Sequence, residues 1–174
     1  MNILINFSSL KSGGGQNVAM NFLLGFRKAD LAGSRLFFLV AENSEPHKFL
    51  SKISYSGVII ASRNPYKRIM NEVICGRKWI KQFEIDIVYS YFGYALLPKN
   101  VFQVSGSADS NLYFPELNFW KDYSWIRRLG KEIVDRYRLF GVCRANAVIF
   151  ENPEMLTRAK TLYGIKNTRY IKPS

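Results

Sequence analysis

The strongest constraint on this fold is a series of short, almost uninterrupted apolar runs: ILINF, LFFLV, GVIIA, DIVYS, FQVSG and AVIF. A strand with one wet face alternates apolar and polar residues, whereas a strand covered on both faces reads as a continuous run. The runs predict strands at Asn2–Ser8, Arg35–Ala41, Gly57–Ser62, Ile85–Ser90, Val101–Gly106 and Ala147–Glu151, and NTRYIKPS reads as one more. The intervals between them are long enough for crossover helices, which parallel neighbours require. A first helix is predicted over Gln16–Ala29, where Val18, Ala19, Phe22, Leu23 and Phe26 share a face. A short helix should follow Pro46 and a longer one Pro65, with one or two helices in Phe119–Arg144. A last helix should open at Pro153 and stop at Gly164. Strand alternating with helix predicts an α/β fold: a Rossmann-like, doubly wound, mainly parallel sheet of six to seven strands with helices on both faces.

The 174 residues suit a single domain, and 48% hydrophobic content is enough for a packed core. No apolar run approaches the ~18 residues a membrane-crossing helix needs. Cys75 and Cys143 lie far apart with no Cys or His at metal-binding spacing, so they are expected as reduced, buried thiols in a cytosolic chain. No metal-ligand cluster is present either. The formal charge of +12, from 25 Lys and Arg against 13 Asp and Glu, suggests an anionic partner (a phosphorylated ligand, an anionic membrane surface or nucleic acid), with a plainly solvated basic surface, or balance by an acidic domain outside these residues, as the alternatives that charge alone leaves open.

Gly13, Gly14 and Gly15 stand between the first run and the first predicted helix. Glycines there let a ligand approach the backbone, and a helix N-terminus attracts phosphate. The spacing is neither GxGxxG nor GxxxxGK[ST], and no acidic residue closes the second strand at a ribose-binding position. A nicotinamide or flavin site is therefore not expected. A phosphate-facing loop and a plain flexible turn both remain open.

SSLKSGGGQNVAMNFLLGF resembles the opening of the N-terminal domain of GT-B glycosyltransferases, in particular the large retaining, family 4-like group that includes lipopolysaccharide and capsule sugar transferases. VSGSADSNLYFPE, Val104–Glu116, resembles that family's acceptor-side loop after the fifth strand. Tyr137–Ser174 is similar to its passage of helix, AVI strand, polar turn, helix ending in Gly and final strand. The resemblance implies that residues 1–174 form the acceptor-binding half of a two-domain enzyme, followed by a donor-binding domain, and that this half alone is inactive or nearly so. It implies transfer of a sugar from a nucleotide-diphosphate donor to a saccharide acceptor, lipid-linked, in surface polysaccharide synthesis, with no covalent cofactor and no metal. Gly13, Gly14, Gly15 and Gln16 match the loop facing the donor diphosphate. Ser105, Ser107, Asp109, Ser110, Asn111, Glu116, Glu151 and Asn152 fall where such a sheet's loops face an acceptor. Many members carry a His after the fifth strand; this chain has SGSADS, and its only histidine, His47, is expected at the surface. Asp109 is the candidate base or orienting group. Its alternative role is turn capping, and capping is likewise the alternative for Asn152.

In Tyr66–Phe83, helical spacing places Ile69, Val73, Gly76, Ile80 and Phe83 on one side and Lys67, Asn71, Lys78 and Lys81 roughly opposite, flanked by Arg77 and Trp79. A second cluster holds Trp120, Trp125, Arg127, Arg128 and Lys131. Basic amphipathic helices with interfacial aromatics seek membrane surfaces, which predicts a cytoplasmic protein peripheral on the inner face of the membrane. An ordinary core-packed helix with a solvated basic face is the plainer reading of Tyr66–Phe83. Two other functions share the same surface: a nucleic-acid-binding α/β module and a stand-alone nucleotide- or phosphate-binding Rossmann-like protein. No RNP, KH or helix-turn-helix signature is present, so nucleic acid is not the expected partner.

Overall fold

The computed structural model describes residues 1–11, 13–26, 33–91 and 100–172. Seven strands form one sheet: β1 (Asn2–Phe7), β2 (Arg35–Ala41), β3 (Gly57–Ala61), β4 (Ile87–Ser90), β5 (Phe102–Ser107), β6 (Ala147–Phe150) and β7 (Thr168–Tyr170). Their spatial order is β3-β2-β1-β4-β5-β6-β7, and every neighbouring pair is parallel. The chain works outward from β1 to β3, then returns to β4 on the other side of β1. This is a Rossmann-like, doubly wound architecture whose direction reverses between β1 and β4.

Helices flank the sheet: α1 (Gly13–Phe26), α2 (Glu45–Phe49), α3 (Pro65–Gln82), α4 (Ser110–Tyr113), α5 (Trp125–Arg144) and α6 (Pro153–Tyr163). On one face Ile5, Phe38 and Val40 pack against Ala19 and Leu23 of α1. On the other, Leu4, Phe37, Leu39 and Val88 pack against Ile80 of α3. A third cluster joins Val148 and Phe150 to Val142 of α5 and to Met155 and Ala159 of α6. Because both faces are covered, β2 is buried at every position after Arg35. Burying each large apolar side chain in these layers contributes about 1.5–3 kcal/mol.

The boundaries of β1 to β6 fall within two residues of expectation, and β7 (Thr168–Tyr170) is shorter than the NTRYIKPS run, whose last two residues lie outside the described ones, but several elements differ in ways that matter. Helix α1 starts at Gly13 rather than Gln16, so the three glycines form its first turn instead of a preceding loop. Its predicted end at Ala29 lies outside the described residues. Helix α2 begins at Glu45, with Ser44 accepting the His47 N–H as cap, so His47 sits within the helix and is half-buried. Within Phe119–Arg144 there is one helix, and it starts at Trp125. The cysteines are free thiols as expected, but the expected burial fails: Cys143 is exposed and Cys75 only half-buried.

The inward face of α3 also needs correction. The buried residues are Arg68, Glu72, Gly76 and Ile80, spaced by four, while the expected core residue Val73 is exposed. Trp79, expected at a membrane surface, packs with Phe83 against the core instead. Polar residues took the inner face because they have partners there, and those partners build the site.

Candidate functional site at the carboxyl edge of the sheet

Ligands of doubly wound sheets bind outside the carboxyl ends of the strands, where the winding reverses. Here that place is the end of β1 beside β4. Asn6, in β1, takes hydrogen bonds at Oδ1 from the Ser8 N–H (2.9 Å) and Ser8 Oγ (2.7 Å), and donates to Ser90 Oγ of β4 (3.4 Å). Ser9 Oγ donates to the Tyr91 carbonyl (3.3 Å). The two strand ends are thus tied together by side chains as well as by the ladder.

Beneath this edge Glu72 is almost wholly buried, at 1% exposure. Arg68 Nε lies 3.8 Å from its Oε1, and Tyr137 Oη of α5 donates to Oε2 at 2.8 Å. Burial pushes the Glu72 carboxyl above its ordinary value, opposed by Arg68 and by the Tyr137 and Ser8 hydrogen bonds. The single Ser8 hydroxyl proton is shared between two acceptors, the Asn6 amide Oδ1 at 2.7 Å and the Glu72 carboxyl Oε1 at 3.2 Å.

Above it, Asp109 and Arg138 meet at 3.2 Å, and Arg138 is also 3.7 Å from Asp135. Burial raises the Asp109 carboxyl above its ordinary range; Arg138 opposes the shift and Asp135 reinforces it. Asp109 occupies the cap position of α4 without a side-chain capping bond, because its carboxylate is directed to Arg138. Ser9, Leu10, Gly15, Ala108, Asp109 and Arg138 line a cleft of about 230 Å³. Gly15 and Asp109, nearly a hundred residues apart in sequence, therefore share one cleft. Gly13 requires its lack of a side chain, since its φ is +63°. Among the described residues, and apart from adjacent residues and the helix's own backbone, nothing lies within 4 Å of where a Cβ would stand on Gly13 or Gly14.

The cleft shares Ser9 and Arg138 with a larger groove of about 480 Å³ between the N-terminal halves of α3 and α5. Tyr66, Trp120, Tyr123 and Ile126 give it apolar walls, and Lys11, Arg68, Arg127, Lys131 and Arg138 give it positive charge. Lys131 Nζ sits 4.9 Å from the Trp120 ring centroid, and Trp120 Nε1 donates to Asp135 at 2.9 Å. Partial burial, then Arg68, Arg63 and Lys131, lower the Lys11 ammonium from its ordinary value.

The remaining expected site residues are dispersed. Gln16 Oε1 accepts the Glu45 N–H at 3.4 Å, tying α1 to α2. Ser105 and Ser107 are each 3% exposed, and Ser107 Oγ is 2.6 Å from Tyr113 Oη. Ser107 and Glu151 do share a second cavity, of about 310 Å³, where Tyr91 Oη donates to Glu151 at 3.4 Å. Ser110 is exposed. Asn111 lines a third cavity with Arg128 and Trp120, its buried Nδ2 unpartnered among the described residues. Glu116 pairs with Arg158 at 2.6 Å. Asn152 caps α6 through the Glu154 and Met155 N–H groups, its alternative role. Among the basic set, Lys67, Arg77, Lys78 and Lys81 are exposed on α3, as are Trp125 and Arg127 on α5, while Arg128 pairs with Glu132 at 2.8 Å. Lys11, Glu72, Tyr137 and Arg138 were not anticipated, and Lys131 was expected only as part of the basic, aromatic cluster at the start of α5. The i, i+4 spacing puts Glu72 on the same face as the expected inner residues Gly76 and Ile80, but a count of apolar positions passes over it.

Among the described residues, no three His, Cys, Asp or Glu are arranged to hold a metal ion, and no helix is long and apolar enough to cross a membrane. No protein-family model matches the chain, and no curated protein matches it.

Proposed function

We propose that this chain is the acceptor-binding half of a GT-B-type glycosyltransferase, moving a sugar from a nucleotide-sugar donor to a lipid-linked saccharide in surface polysaccharide synthesis. The observation that carries the reading is the single cleft holding Gly15 at the first turn of α1 and the Asp109–Arg138 pair at the end of β5. The N-terminus of α1 faces the donor diphosphate and offers its unpaired N–H groups and dipole to the developing charge. Asp109 accepts a hydrogen bond from the acceptor hydroxyl. Its raised proton affinity makes it a better base than an exposed carboxylate, and Arg138 fixes its orientation. A second domain supplies most donor contacts, and the exposed basic residues hold the protein on the inner face of the membrane.

The test is nucleoside-diphosphate release by the full-length gene product, given a panel of nucleotide hexoses and a lipid extract as acceptor. Asp109→Asn should lower release by at least ~100-fold, the usual scale for loss of a general base, with the circular dichroism spectrum unchanged. Release at the wild-type rate would sink the assignment. The basic, aromatic-walled groove also suits a single-stranded nucleic acid or a nucleotide. Tight oligonucleotide binding with no transfer activity would favour that second reading.

A further inference from the structure

Two rows of exposed apolar side chains run along the outer layer. On α3, Tyr66, Met70, Val73 and Ile74 are exposed at helical spacing; on α5, Ile126, Leu129 and Ile133 are. Tyr66 and Ile126 begin these rows and also line the α3–α5 groove. The two helices are bridged by the Tyr137–Glu72 hydrogen bond, and a Cβ on Gly130 of α5 would stand 3.0 Å from Tyr66 Oη. The groove therefore opens at its lip onto both rows.

Its charge is unbalanced. Arg68 is paired with Glu72, and Arg138 with Asp109 and Asp135. Among the described residues no salt bridge involves Lys11, Arg127 or Lys131. Lys11 Nζ donates to the Arg63 carbonyl, and Lys131 lies against two aromatic rings. Three cations outside any salt bridge, aromatic walls and an apolar lip, with the lining carboxylate Asp135 held by Arg138 and Trp120, make a site for an anion attached to a hydrocarbon chain.

We infer that the α3–α5 groove binds the phosphate or diphosphate headgroup of a lipid, with Lys11, Arg127 and Lys131 on the phosphate oxygens and the lipid chain leaving over Tyr66 and Ile126 toward Leu129, Ile133 and Met70. This deepens the membrane part of the proposed function and rests on it, but not on sugar transfer. It moves the contact from the basic side of α3, with Lys78 and Lys81, to a groove that shares Ser9 and Arg138 with the Asp109 cleft. A lipid held there has its phosphate beside the place where an acceptor hydroxyl would react.

The test is co-sedimentation of the chain with phosphatidylcholine vesicles, with and without phosphatidylglycerol, at fixed salt. Each basic side chain near an anionic leaflet contributes about fivefold in partition, so a diffuse surface predicts equal losses for any two lysines facing the membrane. The groove predicts that Lys11→Gln with Lys131→Gln loses at least tenfold more binding than Lys78→Gln with Lys81→Gln. Equal losses, or a larger loss for the second pair, overturn it. Inorganic diphosphate should displace the wild-type chain from the vesicles; no displacement at millimolar concentration counts against a phosphate site. Leu129→Ser with Ile133→Ser should weaken vesicle binding while leaving diphosphate binding, measured by calorimetry, unchanged. If vesicle binding is also unchanged, the ligand is a soluble phosphate and the lipid assignment fails. A chain that binds vesicles through Lys11 and Lys131 yet releases no nucleoside diphosphate keeps this inference and sinks sugar transfer. Unchanged circular dichroism verifies that each variant is folded.

Discussion

Glu72 shows how a carboxylate can be held where apolar side chains are the rule. It is kept by Arg68, Tyr137 and Ser8, each from a different part of the chain, and it couples β1, α3 and α5 at one point. Replacing Tyr137 with Phe removes one donor and strands a buried oxygen, which should cost about 1–3 kcal/mol in urea unfolding. The pH dependence has a definite sign. A carboxyl raised in the folded state contributes stability that is fully present below its unfolded pKa and is lost as pH rises through the folded one. Glu72 is raised by burial, and Gln does not titrate. The stability of the wild type minus that of Glu72→Gln should therefore fall from pH 4.5 upward. A difference that grew with pH would mean that Arg68's attraction outweighs burial. Arg68 and Glu72 were not read from the sequence as inner residues because amphipathic patterning counts apolar positions. A buried ion pair is invisible to that count until its partners on β1 and α5 are known.

At the level of elements, legibility followed how local the cause was. Helix α6 was read at both ends because both stops are local: Asn152 caps its first turn, and Gly164 closes it with φ +65°. Asn152→Ala should cost about 1 kcal/mol by the same unfolding measurement, with no effect on the Asp109 cleft. The strands were legible for a similar reason, since continuous apolar runs mean burial on both faces wherever they pair. The start of α1 was missed because three glycines have poor helix propensity. Gly13 nonetheless opens the helix with a positive φ that its neighbours in the sequence do not announce. The second half of the α3 inner face, Gly76 and Ile80, was read correctly, but in the first half Arg68 and Glu72 stand where tertiary partners, not periodicity, decided the face. Of the candidate site, Gly15 and Asp109 were named and line one cleft; Lys131 was named in a basic cluster without its groove, and Lys11 and Arg138 were read only as part of a general basic excess.

At the scale of the whole molecule, a charge of +12 and two exposed apolar rows act in opposite directions on self-association. Like charge keeps copies apart, while exposed apolar surface draws them together. The Debye length falls from ~30 Å at 0.01 M salt to ~8 Å at 0.15 M and ~3 Å at 1 M, so salt removes the repulsion and leaves the attraction. The same salt weakens attraction to an anionic leaflet. Two salt responses of opposite sign are therefore expected from one surface. Sedimentation velocity should show separate monomers at low salt and association as salt rises. Binding to phosphatidylglycerol vesicles should decline over the same series. Leu129→Ser with Ile133→Ser should suppress the salt-driven association, because those side chains supply the apolar contact. Association that weakened with salt would instead point to charge pairing between copies, and the exposed rows on α3 and α5 would then not be its cause.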